Sequence, residues 1–280
     1  MLEARQESGS DTIIEVREFS AAYGRRTVLR DVNFKVGRGE ILVIAGGSGC
    51  GKSTMLFHMI GLYRPAGGRI LIQGRDVHAV SGRDLDLLRR QFGVAYQGGA
   101  LFGSMTVLEN VCLPLEEFTD LPREMIVLIA LSKLRLVGLE DAAQKLPSEL
   151  SGGMQKRAAL ARAIALDPPI VFLDEPSAGL DPITSAGLDE LILDLSRLLR
   201  TTFVVVTHEL HSIFAIASRV VFLDASTQTV GAIGPPAMLR DGSPDPRVRA
   251  FFNRQSQSAQ EPGGIGQDLA SENHKEISKP

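Results

Sequence analysis

The chain has 280 residues, of which 44% are hydrophobic and 22% are charged, a composition typical of a globular protein with a sizeable core. Its formal net charge of −3 and its isoelectric point near 6.0 argue against nucleic-acid binding, because nucleic-acid-binding proteins usually carry an excess of basic residues. The two cysteines, Cys50 and Cys112, form no disulfide framework and lack metal-ligand spacing, which is typical of a reduced, intracellular chain. The polar N-terminus does not resemble a signal peptide, and the longest apolar runs are shorter than the roughly 20 residues of a membrane-spanning helix.

The first part of the chain predicts strands that lead into a glycine-rich loop. Alternation of apolar and polar residues predicts the two earliest strands, and the continuous apolar run ILVIAG at 41–46 is typical of a strand buried on both faces. The predicted elements of this part are strands at 13–20, 27–36, 41–46 and 69–77 and a helix from Ser53 to Leu62.

The second part changes from helices back to buried strands. Residues 106–165 have helical spacing, with Pro122 at an expected helix start and Gly138 at an expected helix end. The predicted elements that follow are strands at 170–174, 203–208 and 220–224 and a helix at 186–199. Apolar strands that alternate with helices predict an α/β fold with a mostly parallel sheet.

Residues 46–54 have the spacing of a phosphate-binding Walker A loop between a buried strand and a helix. Glycines let the backbone point its N–H groups at phosphate oxygens, Lys52 adds a positive charge between the β- and γ-phosphates, and Ser53 offers a hydroxyl to Mg²⁺. The alternative is a flexible glycine loop with an unrelated lysine, and we interpret Cys50 as a small residue at a variable position. The predicted nucleotide-binding residues of this loop are Gly46, Gly47, Ser48, Gly49, Cys50, Gly51, Lys52, Ser53 and Thr54.

Two later strands end in polar residues that suit phosphate chemistry. IVFLDEP places Asp174, a predicted Mg²⁺ ligand, and Glu175, a predicted base for the attacking water, at a strand end where ligands bind in open α/β sheets. VVVTH places His208 at a corresponding strand end, where we expect contact with the γ-phosphate. The alternatives are a solvated or helix-capping acidic pair and a structural histidine.

A second glycine-led helix start follows about a hundred residues after the first. In ELSGGMQKRAALARA, Ser151 is a good N-cap, and the amides of Gly152 and Gly153 with the helix dipole form a second anion site. One domain binding one nucleotide has no need of two such sites. By itself this segment predicts only a capped helix.

The motifs together resemble those of ABC-type ATPases. Five motifs have the order and spacing of that family over roughly residues 13–240: the Walker A loop, LSGGM at 150–154, which is called the signature below, LDEP at 173–176, GLDP at 179–182 and TH at 207–208. In this family two copies dimerise head to tail, so the resemblance implies that the second anion site serves the ATP of the partner.

The resemblance also implies roles for three further residues. Tyr23 matches the aromatic residue that stacks on adenine, Gln97 matches the glutamine that senses Mg²⁺ and water, and Asp181 matches the loop that connects the two active sites. Two positions depart from the commoner pattern, Met154 in place of glutamine and Glu209 in place of aspartate. Neither change removes a phosphate donor.

The implied fold is a P-loop NTPase with a RecA-like sheet, an N-terminal antiparallel β subdomain and an inserted helical subdomain. Its expected divisions are a polar N-terminal tail at 1–12, an ATP-binding core at 13–98 and 166–240, a helical subdomain at 99–165, a C-terminal packing segment at 241–255 and a disordered tail at 256–280.

In detail, QGGALFGSMTVLENV at 97–111 resembles the ATPases of MCE-type phospholipid transporters, as do the segments around the signature and the C-terminal DPRVRAFFNRQ. This resemblance implies a homodimer attached to an integral-membrane permease at the cytoplasmic face of the inner membrane, together with an MCE-domain lipid-binding protein. The sequence neither requires nor excludes a small regulatory subunit. The alternatives are the ATPase of a small-solute importer, an ABC ATPase not coupled to transport, and a scaffold that binds nucleotide without hydrolysing it.

Overall fold

The computed structural model describes residues 12–253, which form ten strands and nine α-helices. The strands are β1 Thr12–Tyr23, β2 Arg26–Gly37, β3 Ile41–Ala45, β4 Gly67–Ile72, β5 Arg75–Asp76, β6 Phe92–Ala95, β7 Ile170–Asp174, β8 Thr202–Val206, β9 Arg219–Asp224 and β10 Thr229–Gly234. The helices are α1 Lys52–Met59, α2 Arg83–Arg89, α3 Val107–Phe118, α4 Arg123–Leu136, α5 Gly152–Ala163, α6 Pro182–Leu199, α7 Leu210–Ile216, α8 Pro236–Gly242 and α9 Pro246–Phe252, with 3-10 turns at Glu140–Ala142 and Pro147–Glu149.

The central sheet has six strands in the order β10-β9-β3-β8-β7-β6, and only β10 is antiparallel to its neighbour. Every residue of β3, β7 and β8 is buried, because α1 and residues of β1 and β2 pack on one face of the sheet and α5, α6 and α7 pack on the other. This arrangement confirms the mostly parallel α/β fold. The carboxyl ends of β3, β7 and β8 therefore meet at one edge, where ligands bind in such sheets.

A second, antiparallel sheet in the order β2-β1-β4-β5 flanks the first. The pattern of β2 alternates along much of its length, with Leu29, Val32, Phe34 and Val36 buried and the intervening residues exposed, as expected for a strand with one solvated face. The predicted strand at 69–77 is wrong in one respect: it is interrupted after Ile72, because Gln73 and Gly74 adopt positive φ values of 48° and 78° and turn the chain into β5.

Helices α3, α4 and α5 form a lobe with its own hydrophobic core. Val111, Ala130, Leu134 and Ala158 are fully buried in this cluster. The helix α3 begins with a capping box, in which Thr106 accepts from the Glu109 amide and the Glu109 carboxylate accepts from the Thr106 amide. This lobe lies between β6 and β7 in the sequence, and α5 returns the chain to the sheet.

The helix predicted at 186–199 begins four residues earlier, at Pro182, because Asp181 accepts hydrogen bonds from the amides of Ile183 and Thr184 and caps it. At the end of the described chain, Val248 and Phe252 of α9 are buried in the core of the same subunit. None of the helices described within residues 12–253 is long and apolar enough to cross a membrane. The predicted tails at 1–12 and 256–280 lie outside the described residues, apart from Thr12.

Candidate active site

The Walker A loop connects the end of β3 to the start of α1, and its backbone geometry requires glycine. Gly46 has a φ of 150°, and a Cβ there would lie 2.4 Å from the Leu223 carbonyl oxygen. Gly51, the residue before α1, has a φ of 102°. L-residues with side chains rarely adopt these φ values, so the sequence glycines at these two positions allow the tight turn.

Lys52 lies inside this loop and is 91% buried, since only 9% of it is exposed. Its ammonium donates to the carbonyl oxygens of Gly46 and Gly47 at 3.0 and 3.1 Å. The positive charge is therefore held against the backbone of the loop. Burial raises the pKa of the neighbouring Cys50 thiol, so this cysteine is held in its protonated, unreactive form.

A cavity of about 370 Å³ opens beside the loop and is lined by Tyr23, Arg26, Val28, Gly49, Gly51, Lys52, Ser53 and Thr54. The Tyr23 hydroxyl lies 3.4 Å from the Thr54 hydroxyl, and the ring is 47% exposed. An exposed aromatic face next to a phosphate loop suits a nucleobase. Arg26, the first residue of β2, lines the same cavity, although no sequence motif indicated it.

Asp174 and Glu175 follow at the end of β7, where both side chains are buried. Burial raises the pKa of Asp174, and the adjacent Glu175 raises it further, while Ser53 and the lysines 156 and 52 oppose the rise. One oxygen of each carboxylate, Oδ1 of Asp174 and Oε2 of Glu175, has no hydrogen-bond partner among the described residues 12–253. Buried carboxylate oxygens without partners are costly unless a cation or water meets them.

Glu175 is held in an uncommon backbone conformation by contacts on both sides. Its φ of 46° lies in the left-handed region, and its amide donates to the Val206 carbonyl oxygen at 2.8 Å. Its Oε1 lies 2.8 Å from Nδ1 of His208. Because an ionised carboxylate only accepts, this contact requires a hydrogen on Nδ1 of the ring. The structure thus brings the acidic strand end and the predicted histidine into direct contact.

Gln97 follows β6 at the same edge of the sheet and is exposed. Its carbonyl oxygen accepts from the Lys156 ammonium of α5, which also donates to the Glu175 carbonyl oxygen at 3.3 Å. Lys156 was likewise not selected from the sequence.

The signature and Asp181 form a second group. Ser151 caps α5 by accepting from the Met154 amide at 3.3 Å, and both Ser151 and Gly152 are exposed. Gly153 is buried, and a Cβ on it would lie 2.5 Å from the methyl carbon of Thr184. Within residues 12–253, Ser151 and Asp181 make side-chain hydrogen bonds to their own helix starts and none to the Walker A loop.

Comparison with known proteins gives the family. The model of the family described as "ABC transporter" matches residues 29–178, more than half of the chain. The chain belongs to the ABC transporter family. It is an ABC-type, transport-coupled ATPase that binds and hydrolyses ATP.

Three similar proteins illustrate the relationship. The intermembrane phospholipid transport system ATP-binding protein MlaF of Escherichia coli K12 is 41% identical over 86% of this chain and 88% of its own length. A probable ribonucleotide transport ATP-binding protein of Mycobacterium leprae is 41% identical over 86% of this chain and 68% of its own length. A dimeric ATP-binding cassette in a post-hydrolysis state, bound to ADP and phosphate, superposes with a TM-score of 0.72 at 32% identity, covering 79% of this chain and 98% of the other.

In this ABC ATPase the predicted site residues therefore lie in two groups. The first group lies at one edge of the sheet and consists of the Walker A residues, Tyr23, Asp174, Glu175 and His208, with Gln97 beside them. Ser151, Gly152, Gly153 and Asp181 form the second group at the starts of α5 and α6. Arg26 could have been found from its position three residues after Tyr23, since basic residues beside a predicted nucleotide site suit phosphates. Lys156 had no comparable signal, because its partners are backbone carbonyls.

Proposed function

We propose that Glu175 is the base for ATP hydrolysis and that His208 orients it and contacts the γ-phosphate. The observation that carries this proposal is the contact of 2.8 Å between Glu175 Oε1 and His208 Nδ1. It leaves Oε2 of the glutamate free to accept a proton from water, and it leaves free Nε2 of the histidine, which would donate to a γ-phosphate oxygen when both ring nitrogens carry hydrogen. Lys52 and the Walker A amides would hold the β- and γ-phosphates.

Mg²⁺ fits the residues at the same edge of the sheet. Hard cations take oxygen ligands, and the buried, unpartnered Oδ1 of Asp174 and the Ser53 hydroxyl supply such oxygens, with Gln97 at the edge of the site. The ion would supply positive charge next to the phosphate oxygens. A cation near Asp174 would also offset the burial that raises the pKa of this carboxyl.

Two copies of this chain would form two ATP sites at a shared interface. The helix start of Ser151 and Gly152 is exposed, as is Asp181, and within residues 12–253 the side chains of Ser151 and Asp181 make no hydrogen bond to the subunit's own Walker A loop. A similar cassette of known structure is a dimer. Each signature would therefore bind the γ-phosphate held by the partner, through helix-start amides and the helix dipole.

The test of the catalytic assignment is steady-state ATP hydrolysis by E175Q, with E190Q as the matched control on the exposed face of α6. We expect E175Q to retain ATP binding and to lose roughly a hundredfold or more in kcat, since the amide cannot take the proton. E190Q should be unchanged, and K52A should lose ATP affinity. Near-normal turnover by E175Q would remove Glu175 from this role.

The transported substrate that we propose is phospholipid. The relative named for intermembrane phospholipid transport aligns over 88% of its own length, whereas the relative named for ribonucleotide transport aligns over 68%. The ATPase would attach through a permease to the cytoplasmic face of the inner membrane, with an MCE-type lipid-binding protein as a further partner. Only the ATPase step belongs to this chain.

The test of this assignment begins with isolation of the chain from native membranes in mild detergent and mass spectrometry of what accompanies it. We expect a multi-spanning permease and an anchored MCE-domain protein, and we expect the reconstituted complex to move fluorescent phospholipid in the presence of ATP. A permease with a solute-binding protein, and no movement of phospholipid, would overturn the lipid assignment and leave the ATPase mechanism intact.

A further inference from the structure

The helix α5 connects the signature to the catalytic edge of its own subunit through two cationic side chains. Lys156 donates to the carbonyl oxygens of Gln97 and Glu175, and Arg162 donates to those of Gly99 and Ala100 at 2.9 and 2.8 Å. Three of the four carbonyls of residues 97–100 are thus bound by one helix. Ala100 has a positive φ of 47°, so the segment is held in a conformation that an unbound loop would rarely adopt.

Lys156 differs from Arg162 because it also reaches the catalytic turn. Glu175 is fixed at its amide by β8 and at its carboxylate by His208, and Lys156 provides a contact to its carbonyl oxygen from the helical lobe. Lys156 lines a small cavity together with Tyr96, the residue before Gln97, and Pro176, the residue after Glu175. Hydrogen bonds from a charged donor are stronger than those between neutral groups.

The charge on Lys156 is placed among carboxylates that it does not directly pair with. Burial lowers the pKa of Lys156, while Asp174, Glu175 and Glu209 act in the opposite direction and favour the ammonium form. All of its hydrogen bonds within the described residues go to the backbone of Gln97 and Glu175. The side chain is therefore placed to fix positions rather than to transfer a proton.

We propose that Lys156 is a positioning residue. It fixes the backbone of the catalytic Glu175 and of Gln97 relative to α5, the helix that begins with the signature. Gly152 and Lys156 are four residues apart, about one helical turn and about 6 Å along the axis. When the signature end of α5 contacts the partner's nucleotide, the same helix fixes two carbonyls at its own subunit's site. The inference rests on the proposed role of Glu175, and it assigns to Lys156 the link between the two ATP sites.

The test compares the full-length K156Q and K156R variants with wild type in steady-state ATP hydrolysis. Lys145, an exposed lysine of the same lobe, gives the matched control K145Q. We expect K156Q to lose about tenfold in kcat, with KM and the Kd of a fluorescent ATP analogue changed less than about twofold, since the Walker A loop is untouched. K156R should recover most of the rate because its guanidinium can donate to both carbonyls. K145Q should match wild type.

Two results would overturn the inference. One is a kcat of K156Q within about twofold of wild type. The other is a loss that appears equally in KM, in ATP affinity and in melting temperature and that K156R does not relieve, because that pattern indicates a purely structural lysine.

The E175Q background separates this inference from the proposed function. In the E175Q background, K156Q should lower kcat by less than about a further twofold, since the effects of residues that act through one group are not additive. A further loss of about tenfold in kcat would show that Lys156 does not act through Glu175. Normal turnover by E175Q alone would refute the base assignment, whereas slow E175Q with normal K156Q would refute only the role of Lys156.

Discussion

Gly153 gives the sharpest test of how the signature is positioned, because its substitution has a calculable steric consequence. A Cβ at this position would lie 2.5 Å from the Thr184 methyl carbon, whereas carbon atoms in contact are about 3.5–4.0 Å apart. In G153A, α5 and α6 must therefore separate by about 1 Å at their starts unless the Thr184 side chain leaves its present rotamer. Overpacking of this kind costs about 1–3 kcal/mol. The greater helix propensity of alanine offsets about 0.5–1 kcal/mol of that cost.

The effect on activity should be larger than the effect on stability. A displacement of about 1 Å at a phosphate-binding helix start can cost about a hundredfold in rate. We therefore expect G153A to fold, with a slightly lower melting temperature, and to hydrolyse ATP about a hundredfold more slowly. The assay is steady-state ATP hydrolysis beside thermal unfolding.

The variant T184S distinguishes internal crowding from a clash with the partner's nucleotide. Serine lacks the methyl group but keeps the hydroxyl that bonds Asp181, which helps to hold the pKa of that carboxyl below its usual value. T184S alone should be close to wild type, and G153A/T184S should recover most of the lost rate. Failure of T184S to restore G153A, or a normal rate for G153A itself, would refute the steric reasoning.

Three further predictions concern the folded core. A Cβ at Gly93 would lie 1.8 Å from the Ala163 carbonyl oxygen, so G93A should lose about 3 kcal/mol or more of stability in denaturant unfolding. The control is G103A, whose Cβ would meet nothing within 4 Å and whose stability should not fall. Similar stabilities of the two variants would contradict this prediction. Burial raises the pKa of Asp189 above its ordinary 3.8, so the folded protein binds the carboxyl proton more tightly than the unfolded chain does. The free energy of unfolding therefore falls as the pH rises from the pKa of the unfolded chain to that of the folded protein. The melting temperature of D189N should therefore exceed that of wild type by more at pH 7 than at pH 4, and a pH-independent difference would count against it. Burial also raises the pKa of both thiols, so a thiol reagent should modify Cys50 and Cys112 at least about a hundredfold more slowly in the folded than in the unfolded chain, and rapid labelling of the folded chain would contradict their burial.

The parts of the fold that the sequence predicted are those with a strong local signal. ILVIA is wholly apolar, and IVFLD and TFVVV each contain a run of four apolar residues; all three form buried strands of the parallel sheet. The short β6, the antiparallel β10 and the helices α2, α7 and α8 were not predicted, because elements of four to seven residues have too few positions to show a period.

The same distinction holds for the candidate site. Asp174, Glu175 and His208 follow apolar strands, so their placement at one edge could be predicted from parallel topology. The direct contact between Glu175 and His208 could not, since it depends on the left-handed φ of Glu175 and on side-chain rotamers. The contacts of Lys156 with backbone carbonyls depend on how α5 packs against the sheet, which no local pattern encodes.

A mixing experiment tests directly whether each ATP site is completed by the signature of the partner. K52A has an intact signature and a disabled Walker A loop, whereas G153A has the reverse, so each alone should be nearly inactive. If sites form between two copies, half of the dimers in an equal mixture carry one complete site, and the mixture should reach roughly a quarter of the wild-type rate. A mixture that hydrolyses ATP only at the mean rate of the two separate variants would contradict the account.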